Sequence, residues 1–261
     1  MLVNRTAWLI EIILCSCVVT SLTAQNGDMT GGGRGKTTAE ELKSYGIELS
    51  EPSLLAALRN SNPRVRVLAA HQLQGDHDTD AIPAIDSALS VEKDPLASVR
   101  IATALSAMHD PKGTEYLQAM CADTRQPIRV VFEATQMLQL LDVPSGGCAD
   151  AVLESLNRTS DIDYRDVVLS LLPAIYPEVS HEQAVRILQV IENLLRDTTQ
   201  QPSVHLAAGQ ALAQIGLPSS VEVVQEAISR ENDPVVRASF QSDLDVLEKK
   251  RQIREGQAAP Q

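Results

Sequence analysis

Apolar residues recur along the chain at intervals of three and four, the spacing that lines one face of a helix. Val65, Ala69 and Leu73 form one such face, and Val204, Ala208, Ala211, Leu212 and Ile215 form another. Each begins just after a proline, and the prolines are themselves periodic. Pro63, Pro95 and Pro127 stand 32 residues apart, as do Pro202 and Pro234, and ten places after each comes Leu73, Leu105, Met137, Leu212 or Leu244. The wider interval between Pro127 and Pro202 holds one more, degenerate copy, with Ile162 in the proline's place and Leu172 ten residues on. The pattern predicts six copies.

Asn62, Asp94, Gln126, Gln201 and Asp233 precede the prolines. A polar capping residue followed by proline marks a helix start, because the first helical N–H has no partner within the helix and its absence costs nothing. Ahead of each such helix lies another apolar-striped segment: Leu54/Leu55/Leu58, Ile82/Ile85/Leu89, Leu117/Met120, Val152/Leu153/Leu156, Val185/Leu188/Ile191/Leu195 and Val221/Val224/Ile228. The unit is an antiparallel helix pair, which exposes apolar surface on both flanks when alone and buries it by stacking. The predicted fold is all-α, an α/α solenoid of six pairs over residues 50–254. Thr38-Ala39-Glu40-Glu41 reads as a capping box opening a short helix within 37–49 that closes the end of the stack, and residues 255–261 read as a disordered tail.

Three stretches carry a family resemblance: Asn62-Pro63-Arg64-Val65-Arg66 before Ala69-Ala70, Gln201-Pro202-Ser203-Val204-His205 before Ala207-Ala208, and Asp233-Pro234-Val235-Val236-Arg237. From about Ser50 to Leu247 the chain resembles short bacterial HEAT repeats, including those of phycobilisome-lyase-type proteins. The resemblance implies a protein-binding scaffold. A lyase or chromophore-handling enzyme, or a purely structural envelope component, is the alternative it leaves open.

The start of the chain has a different character. Met1-Leu2-Val3-Asn4-Arg5, an apolar stretch from Ala7 to Val19 and then Ser-Leu-Thr-Ala-Gln have the order of a secretory signal peptide over residues 1–24. Glu11 interrupts the apolar stretch, and Leu14-Cys15-Ser16-Cys17 is a degenerate lipobox in which Cys17 would carry the lipid. Membrane attachment therefore requires a retained leader or a lipidated Cys17; otherwise the chain is expected in the periplasm or outside the cell. Residues 25–36 lack apolar periodicity and read as a flexible Gly-rich tether. Gly35-Lys36-Thr37 resembles the end of a phosphate-binding loop, but Thr30 stands where that loop needs a glycine.

Composition narrows the partners. Of 261 residues, 44% are hydrophobic and 3% aromatic, and 34 acidic against 22 basic side chains give a net charge of -12. A Leu/Ala/Val-rich chain with few rings offers no stacking platform for bases, and its acidic excess repels phosphate backbones. Nucleic acid is excluded, a protein partner is expected, and the chain is read as a monomer without a cofactor.

The chemically suggestive residues are few. Asp76, Asp78 and Asp80 alternate as in a calcium loop, yet Ala81 and Ser87 occupy the positions where glycine and glutamate are required, so an inter-helix turn is expected. The five histidines lack zinc-protease spacing, and Gly-x-Ser-x-Gly is absent. No catalytic or metal site is expected, and the chain is read as non-catalytic. Cys121 and Cys148 are read as separate core residues. One should end a first helix and the other begin the next, about 15 Å apart over some ten residues of parallel helix.

A row of basic residues remains. Three places after each copy's opening position stand Arg66, Ser98, Val130, Arg165, His205 and Arg237. These cations either face an acidic partner peptide or close their own inter-helix turns. If second helices line the concave side, Arg66, Gln136, Gln210 and Gln241 are candidate hydrogen-bonding contacts to a partner.

Overall fold

The computed structural model describes residues 36–158 and 164–258. The predicted leader, most of the tether, Cys17, Ile162 and the last residues of the tail lie outside them. The helices are α1 (Thr38–Ser44), α2 (Glu51–Ala57), α3 (Pro63–Gly75), α4 (Ile82–Val91), α5 (Pro95–Ala107), α6 (Pro111–Ala122), α7 (Ile128–Leu140), α8 (Ala149–Asn157), α9 (Arg165–Leu169), α10 (Leu172–Ile175), α11 (His181–Arg196), α12 (Pro202–Ile215), α13 (Ser220–Arg230) and α14 (Pro234–Ala258). They form six successive pairs behind α1, an α solenoid.

Second helices pack on one another: α3 on α5, α5 on α7, α9 on α12 and α12 on α14. Their contacts are made by small residues. Ala69, Ala70, Ala102, Ala104, Ala208 and Ala211 are buried among leucines and valines, which lets helix axes approach closely without aromatic filling. A close approach occurs at Gly113 on α6, where a Cβ would sit 2.4 Å from the Ser106 amide nitrogen and 2.5 Å from the Ala102 carbonyl oxygen of α5.

The helix starts follow side-chain length. Asn62, Asp94 and Asp233 each accept a hydrogen bond from a backbone N–H of the turn they open. Gln126 and Gln201 do not cap. Gln126 donates to Asp123 instead, leaving Pro127 at the cap position of α7, and Gln201 stands at the cap of α12 without a side-chain bond. The extra methylene of glutamine carries its oxygen past the amides it would serve. The first capping box is displaced by one residue from its expected place: Thr37 and Glu40 bond reciprocally at the start of α1.

Helix ends repeat as well. After α3, α5 and α7 the chain turns through a residue of positive φ: His77 (56°), His109 (64°) and Asp142 (56°). The next amide then bonds back into the helix, Asp78 to Leu73, Asp110 to Leu105 and Val143 to Leu138. This is the Schellman closure usually made with glycine.

The degenerate fourth copy is broken where the sequence places prolines. Pro173 has no N–H and its ring crowds the Leu169 carbonyl, so α9 stops and the chain passes through a tight turn at Ser170-Leu171 into the four residues of α10. At the far end, α14 continues through Gly256 to Ala258 where a frayed tail was expected. Among the described residues no helix is long and apolar enough to cross a membrane.

The expected separation of Cys121 and Cys148 is corrected. They form a disulfide, with Cα atoms 5.0 Å apart. The prediction assumed first helices stacked in register, but the short 3-10 turn Gly146–Cys148 packs directly on α6, so α8 starts beside the last turn of α6.

Candidate binding surface

The row of basic residues lies at the inter-helix turns. Arg66 donates from Nη1 to the Asn60 carbonyl at 2.6 Å and the Ser61 carbonyl at 3.1 Å, and its other nitrogens grip Glu92 of the next pair at 2.6 Å. His205 Nε2 lies 2.8 Å from the Asp197 carbonyl oxygen. Arg237 Nε donates to the Glu231 carbonyl at 3.0 Å. Arg165 reaches Gln200 of the following pair at 3.0 Å, with its Nε buried and without a partner among the described residues. In the two copies without a base, Ser98 and Val130 are buried. Gln136 is half-buried and Gln210 exposed, while Gln241 donates to Asp245 on its own helix. Gln136 and Gln210 stand eight residues after the first residue of their helices and Gln241 seven.

The seams between pairs take up further cations. Arg64 pairs with Glu41 of the end helix, Arg100 with Glu133, Lys112 with Asp86, Arg186 with Asp150 and Arg196 with Glu226, each joining neighbouring units. The Glu92 carboxylate is 1% exposed, and Arg66 covers it. Burial alone would raise its pKa, but bonds from Arg66 and from the Asp94 and Lys93 amides prevail and hold it below the usual range. Meanwhile Glu51, Asp76, Asp80, Glu115, Glu154 and Glu222 face water outside any ion pair among the described residues. The acidic excess therefore lies on the surface, whereas much of the positive charge is tied into the framework.

One groove departs from that rule. Between α2 and α4 a cleft of about 900 Å³ is walled by Leu55, Ala56, Ala84, Ala88 and Val91. Arg66 and Glu92 lie in its wall, and Arg59 and Lys93 stand exposed at its edge. Val91 is 72% exposed. Arg59, Lys93 and Val91 were not singled out by sequence, because the repeat pattern marks buried positions. The available signal was an apolar residue continuing the Ile82/Ile85/Leu89 series off the buried stripe.

Asp78 caps the turn before α4 by accepting from the Asp80 amide at 3.1 Å, so the Asp76–Asp80 segment is an inter-helix turn. Among the described residues no group of three or more His, Cys, Asp or Glu is placed to hold a metal. His71 is pushed down to about 4 by burial, with the Arg100 and Arg64 charges adding to the effect, and is neutral at physiological pH.

Residues 51–139 and 149–244 match the family model of HEAT repeats. Among solved structures, human deoxyhypusine hydroxylase in complex with glycerol is 20% identical, with a TM-score of 0.40 over 76% of this chain and 73% of that one. The complex of CpcE and CpcF of phycocyanin lyase from Nostoc sp. PCC7120 is also 20% identical, with a TM-score of 0.44 over 83% and 79%. No curated protein matches the chain in sequence. Both of these structures belong to enzymes, so the expectation of a non-catalytic chain is corrected and does not stand; likenesses of this level carry no activity across. The family match covers both blocks of helix pairs on either side of the Cys148 turn, and the chain belongs to the HEAT-repeat family.

Proposed function

We propose that the chain is an exported scaffold that holds a partner protein along its solenoid surface. The observation that carries this reading is the groove of about 900 Å³ between α2 and α4, an apolar-walled, open surface on a framework held by ion pairs between units. HEAT repeats commonly bind proteins this way, by presenting many short helices side by side.

Export is supported by two independent features. Residues 1–24 have the composition of a cleavable leader. The Cys121–Cys148 disulfide suits an oxidising compartment, since thiols in the cytosol are kept reduced. A periplasmic or extracellular adaptor satisfies both.

Affinity capture with the oxidised chain from envelope and secreted fractions tests the reading. One stoichiometric protein, cross-linked to residues of the helix pairs, is expected. Recovery of the chain alone under native conditions contradicts it.

A further inference from the structure

We infer that the groove between α2 and α4 receives a helix of the partner whose apolar ridge is flanked by acidic residues; this rests on the scaffold reading above. Shape is the first argument. The groove runs between two neighbouring first helices, and its walls are small or aliphatic: Leu55 and Ala56 on one side, Ala84, Ala88 and Val91 on the other. Alanines leave room for the side chains of an incoming ridge, which is how an amphipathic helix seats in a groove. Val91, 72% exposed at the lip, is apolar surface left open to water.

Charge is the second argument, and it decides the partner's sign. The chain carries a net charge of -12, which on average repels acidic segments. At this groove the balance is reversed. Glu92 is buried and neutralised by Arg66, while Arg59 and Lys93 stand exposed and outside any ion pair among the described residues. Exposed cations at the rim of an apolar cleft favour carboxylates on the flanks of the ligand and disfavour a basic helix. The Arg66–Glu92 pair also joins the first two units, so the groove's width is fixed before a ligand arrives.

The test uses two fluorescein-labelled synthetic helices with the same leucine ridge at i, i+3, i+4 and i+7, one flanked by glutamate and one by lysine. Fluorescence anisotropy with the full mature chain should show the glutamate peptide binding at least roughly tenfold more tightly, against the overall charge of the protein. Arg59→Glu with Lys93→Glu should abolish that preference, and Ala56→Trp should weaken both peptides by filling the groove, with circular dichroism confirming the fold of each variant. Equal or tighter binding of the lysine peptide, or an unchanged preference in the charge-reversed variant, overturns the inference. So does self-association of the free chain that the charge reversal abolishes, since the occupant would then be a second copy. A native partner still captured by the charge-reversed variant sinks the groove assignment but leaves the scaffold standing. Failure of the wild-type chain to capture any partner sinks the scaffold.

Discussion

Cys121 and Cys148 are joined by a disulfide across 27 residues of sequence, and it ties the last turn of α6 to the turn that opens α8. The bond spans two successive units at the join with the degenerate fourth copy, where α9 and α10 are short and broken. It links the third and fourth units beside the shortest described helices of the stack.

Closing a loop of this length restricts the unfolded chain by about 3.5 kcal/mol. Cys121→Ala with Cys148→Ala should therefore lower the unfolding free energy measured in urea by that much. Reductant should do the same to the wild type and nothing to the variant.

Asp243 supplies a pH dependence. It is buried on α14 against Gly209 of α12, where a Cβ would lie 2.8 Å from its Oδ2, and that oxygen has no hydrogen-bond partner. Burial pushes its carboxyl up to about 6 from 3.8. The folded state then holds a proton that the unfolded state has released, so stability falls as pH rises from about 4 to 6 and is level above. Asp243→Asn should remove that fall and raise stability at pH 7.5 by about 3 kcal/mol, while matching the wild type near pH 4. Thermal melts across the range read both.

The left-handed helix ends make a third prediction. His109, at φ 64°, takes a conformation that costs an L-residue about 1 kcal/mol and glycine almost nothing. His109→Gly should stabilise the chain by about 0.5 kcal/mol in urea unfolding, the gain being reduced by glycine's freedom when unfolded.

Arg66 and Glu92 form the most buried seam. Arg66→Met alone strands a buried carboxylate and should cost about 3 kcal/mol. Arg66→Met combined with Glu92→Leu should recover much of that loss. If the double variant is as unstable as the sum of the singles, the pair is not coupled and the seam has been misread.

Much of the fold is legible because the repeat writes its start signals in register. Pro63, Pro95, Pro202 and Pro234 open helices as the pattern predicts, and the apolar stripes fall largely on buried faces, except that in α11 Val185 is exposed and Ile187 is buried in its stead. Where the reading fails, distance is the reason. The period places each helix but not the offset between first helices, so Cys121 and Cys148 looked far apart. Glutamine shares the polarity of asparagine but not its length, so Gln126 and Gln201 looked like caps. The groove at Arg59, Lys93 and Val91 is defined by what three segments leave uncovered, and a pattern of buried positions marks none of it.

Native mass spectrometry of the endogenous protein, isolated without reductant, tests the account most directly. It predicts a chain lacking residues 1–24, two hydrogens lighter than its reduced form, in a stoichiometric complex with a partner protein. A full-length, reduced chain flying alone would contradict it.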